Sequence, residues 1–245
     1  MTGTSKTASA SLSLRVLARL LSYPDAELHS HLSAMRDALH TERAITAGRL
    51  EELDMLMDTL AGVDPIDTEA AYVQLFDRGR ATSLHLFEHV HGDSRDRGPA
   101  MIDLAQTYDK AGLFLAPGEL PDYLPAVLEF VSTQPPREAR AFLGEMTHIF
   151  NALFSALRER QSAYASVIGA LRERQSAYAS VIGALLELAG EKAKPVKVAP
   201  EEPLDASWTE PPAFDGCSPK GQARPDQPQP IRIVRKDNSP KGAPA

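Results

Sequence analysis

The stretch Leu157–Gly190 reads LRERQSAYASVIGALRERQSAYASVIGALLELAG and contains the same fourteen residues twice, at 157–170 and 171–184. Fourteen residues make almost four helical turns, so a second copy returns to nearly the same helix face, short by about 40°, and adds roughly 21 Å of helix. In a strand or loop, the same duplication would not return the second copy to the same face. We therefore predict that the repeat lies within one long helix and reports fold class rather than function. The positions that share one face, at steps of three and four, are Leu157, Gln161, Tyr164, Ile168, Leu171, Gln175, Tyr178, Ile182 and Leu185.

Apolar residues recur at helical spacing through most of the remaining chain, and strand-like alternation is nearly absent. With 43% apolar residues in 245, the chain has enough material for a proper core. Glycine and proline clusters fall where helices should begin or end, Thr68 is the predicted N-cap of the helix that follows it, and Pro99 is the predicted first residue of another. The sequence predicts an all-α protein with one helical-bundle domain at residues 12–190. The clearest apolar sets are Leu14, Leu17, Leu20 and Leu21; Leu50, Leu53, Leu56, Met57 and Leu60; and Met101, Leu104, Ala105 and Tyr108.

Both ends of the chain differ from this domain in composition. Residues 1–11 are rich in Ser and Thr and predict a flexible N-terminus rather than a cleaved targeting segment. Eleven of the nineteen prolines lie between Pro195 and Pro244, with few apolar residues among them. Residues 191–245 are therefore expected to form an extended, proline-rich tail.

Charge and cysteine content exclude several function classes. The net charge is −7, so a nucleic-acid partner, which needs clustered Lys and Arg, is not expected. No window approaches eighteen uncharged apolar residues, so no membrane span is expected either. The single cysteine, Cys217, allows neither an internal disulfide nor a cysteine-based zinc site, and it indicates a reducing compartment.

The segment HLFEH offers the main chemical alternative. His85, Glu88 and His89 match the H-x-x-E-H pattern, in which two histidines on one helix face hold Zn²⁺ and the glutamate acts as a base. His91 is a further candidate nearby, but a catalytic zinc needs a third protein ligand and an open position, and so short a pattern arises often by chance. A zinc-dependent hydrolase therefore stays open as an alternative, although histidines that bond to their neighbours or face a partner are favoured. No phosphate-binding glycine loop and no nucleophile elbow occur, so the sequence favours a protein that is not an enzyme.

Three segments resemble, in order, the NarJ-type nitrate reductase assembly chaperones, also called the delta subunit, in the wider group of redox-enzyme maturation proteins that includes the TorD type. They are LRVLARLLSYPDAEL, YVQLFDRGRATSLHLFEHVHGDSRDRGPAMIDLAQTYDKAGL and ELPDYLPAVLEF, and they cover roughly residues 12–132. The tail segment AFDGCSPKGQARPDQPQPIRIV is also similar to an extension found in some of these chaperones.

The resemblance implies an all-helical cytoplasmic chaperone without a cofactor of its own. Its partner would be the apo catalytic alpha subunit of respiratory nitrate reductase, bound in part through that subunit's N-terminal segment. The chaperone would keep the subunit competent for insertion of bis-molybdopterin guanine dinucleotide before membrane docking, and contact with molybdenum cofactor biosynthesis proteins is left open. A helical adaptor unrelated to redox enzymes is a further alternative.

The resemblance also assigns candidate client-binding residues. An aromatic helix, a His/Glu-rich stretch and an E-x-P-D-H loop correspond to segments of this sequence, although Tyr123 stands where many relatives have histidine. The aromatic members suit either a client groove or the core. The candidates are Tyr72, Leu75, Phe76, His85, Leu86, Phe87, Glu88, His89, Arg95, Glu119, Pro121 and Asp122.

Overall fold

The computed structural model describes residues 10–91, 94–164, 172–194 and 196–197; for residues 160–164 and 172–176 it describes the backbone alone. This part of the chain is helical and contains no strand, which confirms the all-α prediction. The helices are α1 Ser11–Leu21, α2 Ala26–Glu42, α3 Ala47–Gly62, α4 Pro65–Phe76, α5 Leu86–Val90, α6 Arg97–Lys110, α7 Leu124–Ser132, α8 Pro136–Glu145, α9 Thr147–Tyr164 and α10 Arg172–Ala189, with a 3₁₀ turn at Arg80–Thr82 between α4 and α5.

The core is one cluster built from the predicted apolar faces of the helices. Every member of the predicted sets in α1 and α3 is buried, including Leu17 and Leu53 with no exposed surface. Helix α10 lies at the centre, where it packs against α1, α3, α8 and α9. The set in α6 behaves differently, because Tyr108 is the only buried residue of that helix. Helix α6 therefore lies at the edge of the bundle.

The two repeat copies lie in two helices, so the prediction of one long helix is wrong. The first copy continues α9 as far as Tyr164, and the second forms α10 from Arg172 onward. The two helices pack side by side, so the chain reverses between them. A 3.5-residue period of apolar positions is compatible with a helical hairpin as well as with one long helix. The hairpin is favoured because it buries the apolar face of the second copy. Tyr178 and Ile182 of the second copy reach the core in the hairpin. The link at 165–171 lies outside the described residues.

Helix α10 ends at a glycine whose backbone conformation reverses the chain. Gly190 has φ +86°, its N–H donates to the Glu187 carbonyl at 2.9 Å, and the Glu191 N–H donates to the Leu186 carbonyl at 2.9 Å. This is a Schellman motif, in which a residue in the left-handed region caps the helix C-terminus. The chain then returns along α9.

The residues after Gly190 are held by side chains of α9. The Lys194 N–H donates to Asn151 Oδ1 at 2.6 Å, and the Val196 N–H donates to Ser155 Oγ at 3.0 Å. The chain therefore still contacts the bundle at Lys194 and Val196, beyond the predicted domain boundary at residue 190. The rest of the predicted tail, from residue 198, lies outside the described residues, as do residues 1–9 of the predicted flexible N-terminus.

Replacing Gly190 with alanine is expected to lower the free energy of unfolding by about 1 kcal/mol or more, because alanine is strained at positive φ and its Cβ would displace the Arg140 guanidinium. Gly62 at the end of α3 is the matched control, since its φ is not positive and a Cβ there would meet nothing within 4 Å. Urea unfolding of both alanine variants measures the difference. Equal stability of the two variants would contradict the role given to the Gly190 conformation.

Two predicted helix starts are corrected by the structure. Helix α4 begins at Pro65, and the Asp64 side chain caps it by accepting from the Ile66 N–H at 2.9 Å. Thr68 lies inside the helix, where its hydroxyl donates to the Pro65 carbonyl at 2.7 Å. Helix α6 begins at Arg97, two residues before Pro99. An Asp-Pro pair suits the N-cap and first helical position better than a threonine three residues later, because proline has no N–H to satisfy.

Candidate functional site

Two distant segments of the chain meet in a short antiparallel bridge that pairs His85 with Tyr123. The bridge is closed by two backbone hydrogen bonds, from the Leu86 N–H to the Asp122 carbonyl at 3.0 Å and from the Leu124 N–H to the Leu84 carbonyl at 2.8 Å. Residues 87–121, which contain most of α5 and all of α6, thus begin and end at neighbouring points. Tyr108 adds a third tie, because its hydroxyl donates to the Pro121 carbonyl at 2.7 Å.

A buried carboxylate lies at this point. Asp122 has no exposed side-chain surface, and its Oδ2 accepts the Phe87 N–H at 3.1 Å. That N–H belongs to the first turn of α5 and has no partner within its own helix, so Asp122 satisfies it. The Asp122 Oδ1 lies 3.3 Å from His85 Nδ1. Arg97 at the start of α6 completes the arrangement, with one nitrogen 4.0 Å from Asp122 and 3.7 Å from Glu88. We call Asp122, His85, Glu88 and Arg97 the Asp122 cluster.

The electrostatics of the Asp122 cluster favour a charged His85. The hydrogen bond to Asp122 raises the pKa of the imidazole above its ordinary value, against the opposing effect of burial. Glu88 raises this pKa further, while Arg97 lowers it. The cluster therefore brings together two carboxylates and two groups that can carry positive charge, and it connects α5, α6 and the loop before α7.

Because folding raises the pKa of His85, protonated His85 stabilises the folded state. That contribution is complete below about pH 6.5, the ordinary histidine value, and is lost as pH rises through the higher pKa of the folded protein. We expect His85→Gln to remove this part of the pH dependence of stability. Urea unfolding from about pH 5.5 to about pH 8.5 measures it, with the exposed His31→Gln as control. Parallel pH profiles for wild type and His85→Gln would contradict the prediction.

Two tyrosine side chains, Tyr72 and Tyr123, lie next to each other at the bridge. The Tyr72 hydroxyl donates to the Leu21 carbonyl at 2.7 Å and lies 3.3 Å from the Tyr123 hydroxyl. Tyr72 also contacts the rings of Phe76 and Tyr178, at centroid distances of 4.8 and 6.4 Å. Burial raises the pKa of both Tyr72 and Tyr123, so both phenols are neutral donors near neutral pH. The Tyr123 ring lies 5.4 Å from the imidazole of His85.

The structure divides the predicted client-binding residues into a buried and an accessible set. The side chains of the first set are buried, and their role in client binding also stays a prediction: Tyr72, Leu75, Phe76, Leu86, Pro121 and Asp122. The second set is half-buried or exposed, and client binding there stays a prediction: His85, Phe87, Glu88, His89, Arg95 and Glu119.

The resemblance did not select every residue of the site. Arg97, not the exposed Arg95, reaches Asp122 and Glu88, and only the direction of α6 distinguishes the two arginines. Tyr123 was doubted because many relatives have histidine there, yet its ring packs on His85. Tyr178 was recognised only as a repeat position, although it closes the aromatic group with Phe76 at 5.2 Å. The position of Tyr178 on the periodic helix face was the sequence signal that could have identified it.

The histidines are not arranged as the zinc alternative requires. His85 precedes α5 and lies beside Asp122, whereas His89 lies within α5 and its Nε2 is 2.8 Å from the Ser83 carbonyl. The two imidazoles therefore face different partners instead of one shared position. In the described ranges, no three His, Cys, Asp or Glu side chains are grouped as metal ligands.

Comparison with known proteins places the chain in a family. Residues 25–169, more than half of the chain, match the family model described as "Nitrate reductase delta subunit". Over 154 residues the chain is 44% identical to the "Nitrate reductase molybdenum cofactor assembly chaperone NarJ" of Escherichia coli K12, covering 63% of this chain and 65% of that protein. The match thus spans just under two thirds of that relative's length.

Two further relatives are covered more fully. The "Probable nitrate reductase molybdenum cofactor assembly chaperone NarW" of Escherichia coli K12 is 36% identical over 200 residues, 80% of each chain. The corresponding protein named NarJ in Bacillus subtilis 168 is 32% identical over 156 residues, 64% of this chain and 84% of that protein. Among the described residues, no helix is both long and apolar enough to cross a membrane. The family-model match and these identities show that the chain belongs to the nitrate reductase delta subunit family.

Proposed function

We propose that this protein is an assembly chaperone for respiratory nitrate reductase. It binds the apo alpha subunit, including its N-terminal segment, and keeps that subunit open for molybdenum cofactor insertion and complex assembly. The observation that carries the proposal is the 44% identity to a relative named for this role, together with the family match over residues 25–169. The proposed step takes place in the cytoplasm, before the complex docks on the membrane.

The described surface suits transient binding better than catalysis. The accessible candidates carry both charge signs and the half-buried Phe87 ring, and the two histidines face different acceptors. An amphipathic client segment held by three or four Leu-sized anchors would gain roughly 6 to 10 kcal/mol from burial. Ordering the segment costs about 2 to 5 kcal/mol. At most about 8 kcal/mol remains, so the dissociation constant is about 1 μM at the tightest, which permits release of the client.

In this proposal the molybdenum cofactor, bis-molybdopterin guanine dinucleotide, belongs to the client, and the chaperone holds no cofactor of its own. The chaperone contributes by keeping the apo subunit soluble and accessible. Proteins of molybdenum cofactor biosynthesis are therefore candidate partners of the chaperone–client complex rather than of the free chaperone.

Copurification from native cells tests the proposal. The tagged chaperone is expected to retain the untagged alpha subunit when molybdenum cofactor synthesis is blocked, because the apo form then accumulates. Restoring cofactor synthesis should release the alpha subunit. Absence of the alpha subunit under both conditions, with the chaperone folded and abundant, would overturn the proposal.

A further inference from the structure

Helix α9 carries a row of side chains that can accept hydrogen bonds. Asn151, Ser155 and Glu159 follow one another at steps of four residues, so they share one face of the helix and lie about 6 Å apart along its axis. Only 6% of Asn151 and 7% of Ser155 is exposed, whereas Glu159 is exposed. We call these three residues the α9 acceptor row.

The chain that follows α10 binds this row through its backbone. The Lys194 N–H donates to Asn151 Oδ1 at 2.6 Å, and the Val196 N–H donates to Ser155 Oγ at 3.0 Å. The side chains of both donor residues are exposed. The Asn151 amide is oriented by its own Nδ2, which donates to the Thr147 carbonyl at 3.0 Å. The acceptor row therefore recognises the N–H groups of alternate residues, and not their side chains.

The spacing of the donors matches the spacing of the acceptors. Two residues of an extended chain advance about 6 to 7 Å, and four residues of a helix advance about 6 Å. Two steps of this series are present, from Lys194 and Val196 to the first two members of the row. One further step along both segments brings the Val198 N–H to the Glu159 carboxylate. Val198 follows directly on the described residues 196–197.

The positions of the prolines agree with this series of donors. Proline has no N–H, so it is compatible only with positions that do not donate. Pro195 falls between two donating residues, where no donor is needed. Pro200 falls two residues after Val198, at the next donating position, and so ends the series. The sequence thus allows three donors on the acceptor row, at residues 194, 196 and 198.

We propose that residues 191–199 form a strap that binds the α9 acceptor row through backbone N–H groups, with Val198 held by Glu159. The proline-rich segment then leaves the bundle at Pro200, beside the last turns of α9. The surface fits an extended segment with any side chains and with non-proline residues at alternate positions, and its occupant is this chain's own strap. Closure of the strap satisfies Asn151 and Ser155, and its opening exposes both acceptors.

Residue-resolved amide hydrogen exchange, measured by NMR on the full chain, tests the third donor. Val196 and Val198 are expected to be protected at least about 10-fold more than Lys197, whose N–H lies between the two donating positions. Glu159→Ala should remove the protection of Val198 and keep that of Val196. Arg158→Ala, at an exposed neighbouring position of α9, is the matched control. Exchange of Val198 at its intrinsic rate in the wild type, or protection unchanged by Glu159→Ala, would overturn the proposal.

Proline substitutions test whether the N–H groups hold the strap. Val196→Pro removes a donor and keeps the chain extended, so tryptic cleavage after Lys192 is expected to become about 10-fold faster. Lys197→Pro is the matched control and should be cleaved at about the wild-type rate. Val196→Ala keeps the N–H and should also match wild type. Mass spectrometry measures the cleavage, and far-UV circular dichroism checks that each variant is folded.

Three results of the cleavage experiment would contradict the strap. If Val196→Pro is cleaved as slowly as wild type, the N–H does not hold the segment. If Val196→Ala is cleaved as fast as Val196→Pro, the side chain is recognised instead of the backbone. If cleavage of the wild type becomes faster on dilution, the acceptor row binds the strap of a second copy, and the proposed occupant is wrong.

Discussion

Replacing Asp122 with alanine is expected to lower the free energy of unfolding by about 3 kcal/mol. The substitution removes a fully buried carboxylate and leaves the Phe87 N–H without its acceptor and His85 without its partner. Losing one member of a buried charged group is costly because the remaining groups stay desolvated. Urea unfolding measures the change, and a thermal melt should show a drop of about 6 to 12 °C.

Two companion variants make the Asp122 result specific. Asp122→Asn keeps the shape and one acceptor oxygen for the Phe87 N–H, so it should lose less than about 2 kcal/mol. Asp103→Ala removes an exposed carboxylate from α6 and should change stability by less than about 0.5 kcal/mol. If Asp122→Ala were no worse than Asp103→Ala, the Asp122 cluster would not hold residues 87–121 to the bundle.

The second large effect is expected at Tyr178, where alanine should cost about 3 to 4 kcal/mol. Only 7% of this residue is exposed, and its ring meets Phe76 at 5.2 Å and Tyr72 at 6.4 Å, both nearly edge to face. Removing a buried aromatic ring loses its burial and leaves a cavity. Tyr178→Phe keeps the ring and should stay within about 1 kcal/mol of wild type.

The comparison of Tyr178→Ala with Tyr178→Phe isolates the contribution of the ring, because both variants lack the hydroxyl and differ only in the ring. A loss below about 1 kcal/mol for Tyr178→Ala in urea unfolding would contradict its place in the aromatic group.

The helices and their buried faces could be predicted where local spacing determines burial. The apolar sets of α1 and α3 are core because each forms one continuous helix face. In α6 the same spacing led to a helix at the edge, where only Tyr108 is buried. The spacing predicts a helix, but the number of neighbours that cover it depends on the whole bundle.

The candidate site could be predicted only in part, because its contacts join residues far apart in the chain. The resemblance selected both His85 and Asp122, but not the hydrogen bond between them across 37 positions. It also selected Arg95, since two arginines separated by one residue look equivalent until the direction of α6 is known. The hairpin formed by the repeat escaped prediction for a related reason, because a periodic face is compatible with a chain reversal.

The bridge between His85 and Tyr123 also bears on how much change the chain tolerates within residues 87–121. Both ends of that segment are fixed at one point, so inserted residues enlarge a closed loop and do not displace the helices on either side. The entropy of closing a loop grows only with the logarithm of its length, and even a doubling costs about 0.6 kcal/mol. An insertion at an exposed turn of this segment, such as Gly118, should therefore be nearly neutral for folding. The segment can lengthen, or accept a fluorescent label, without rebuilding the bundle.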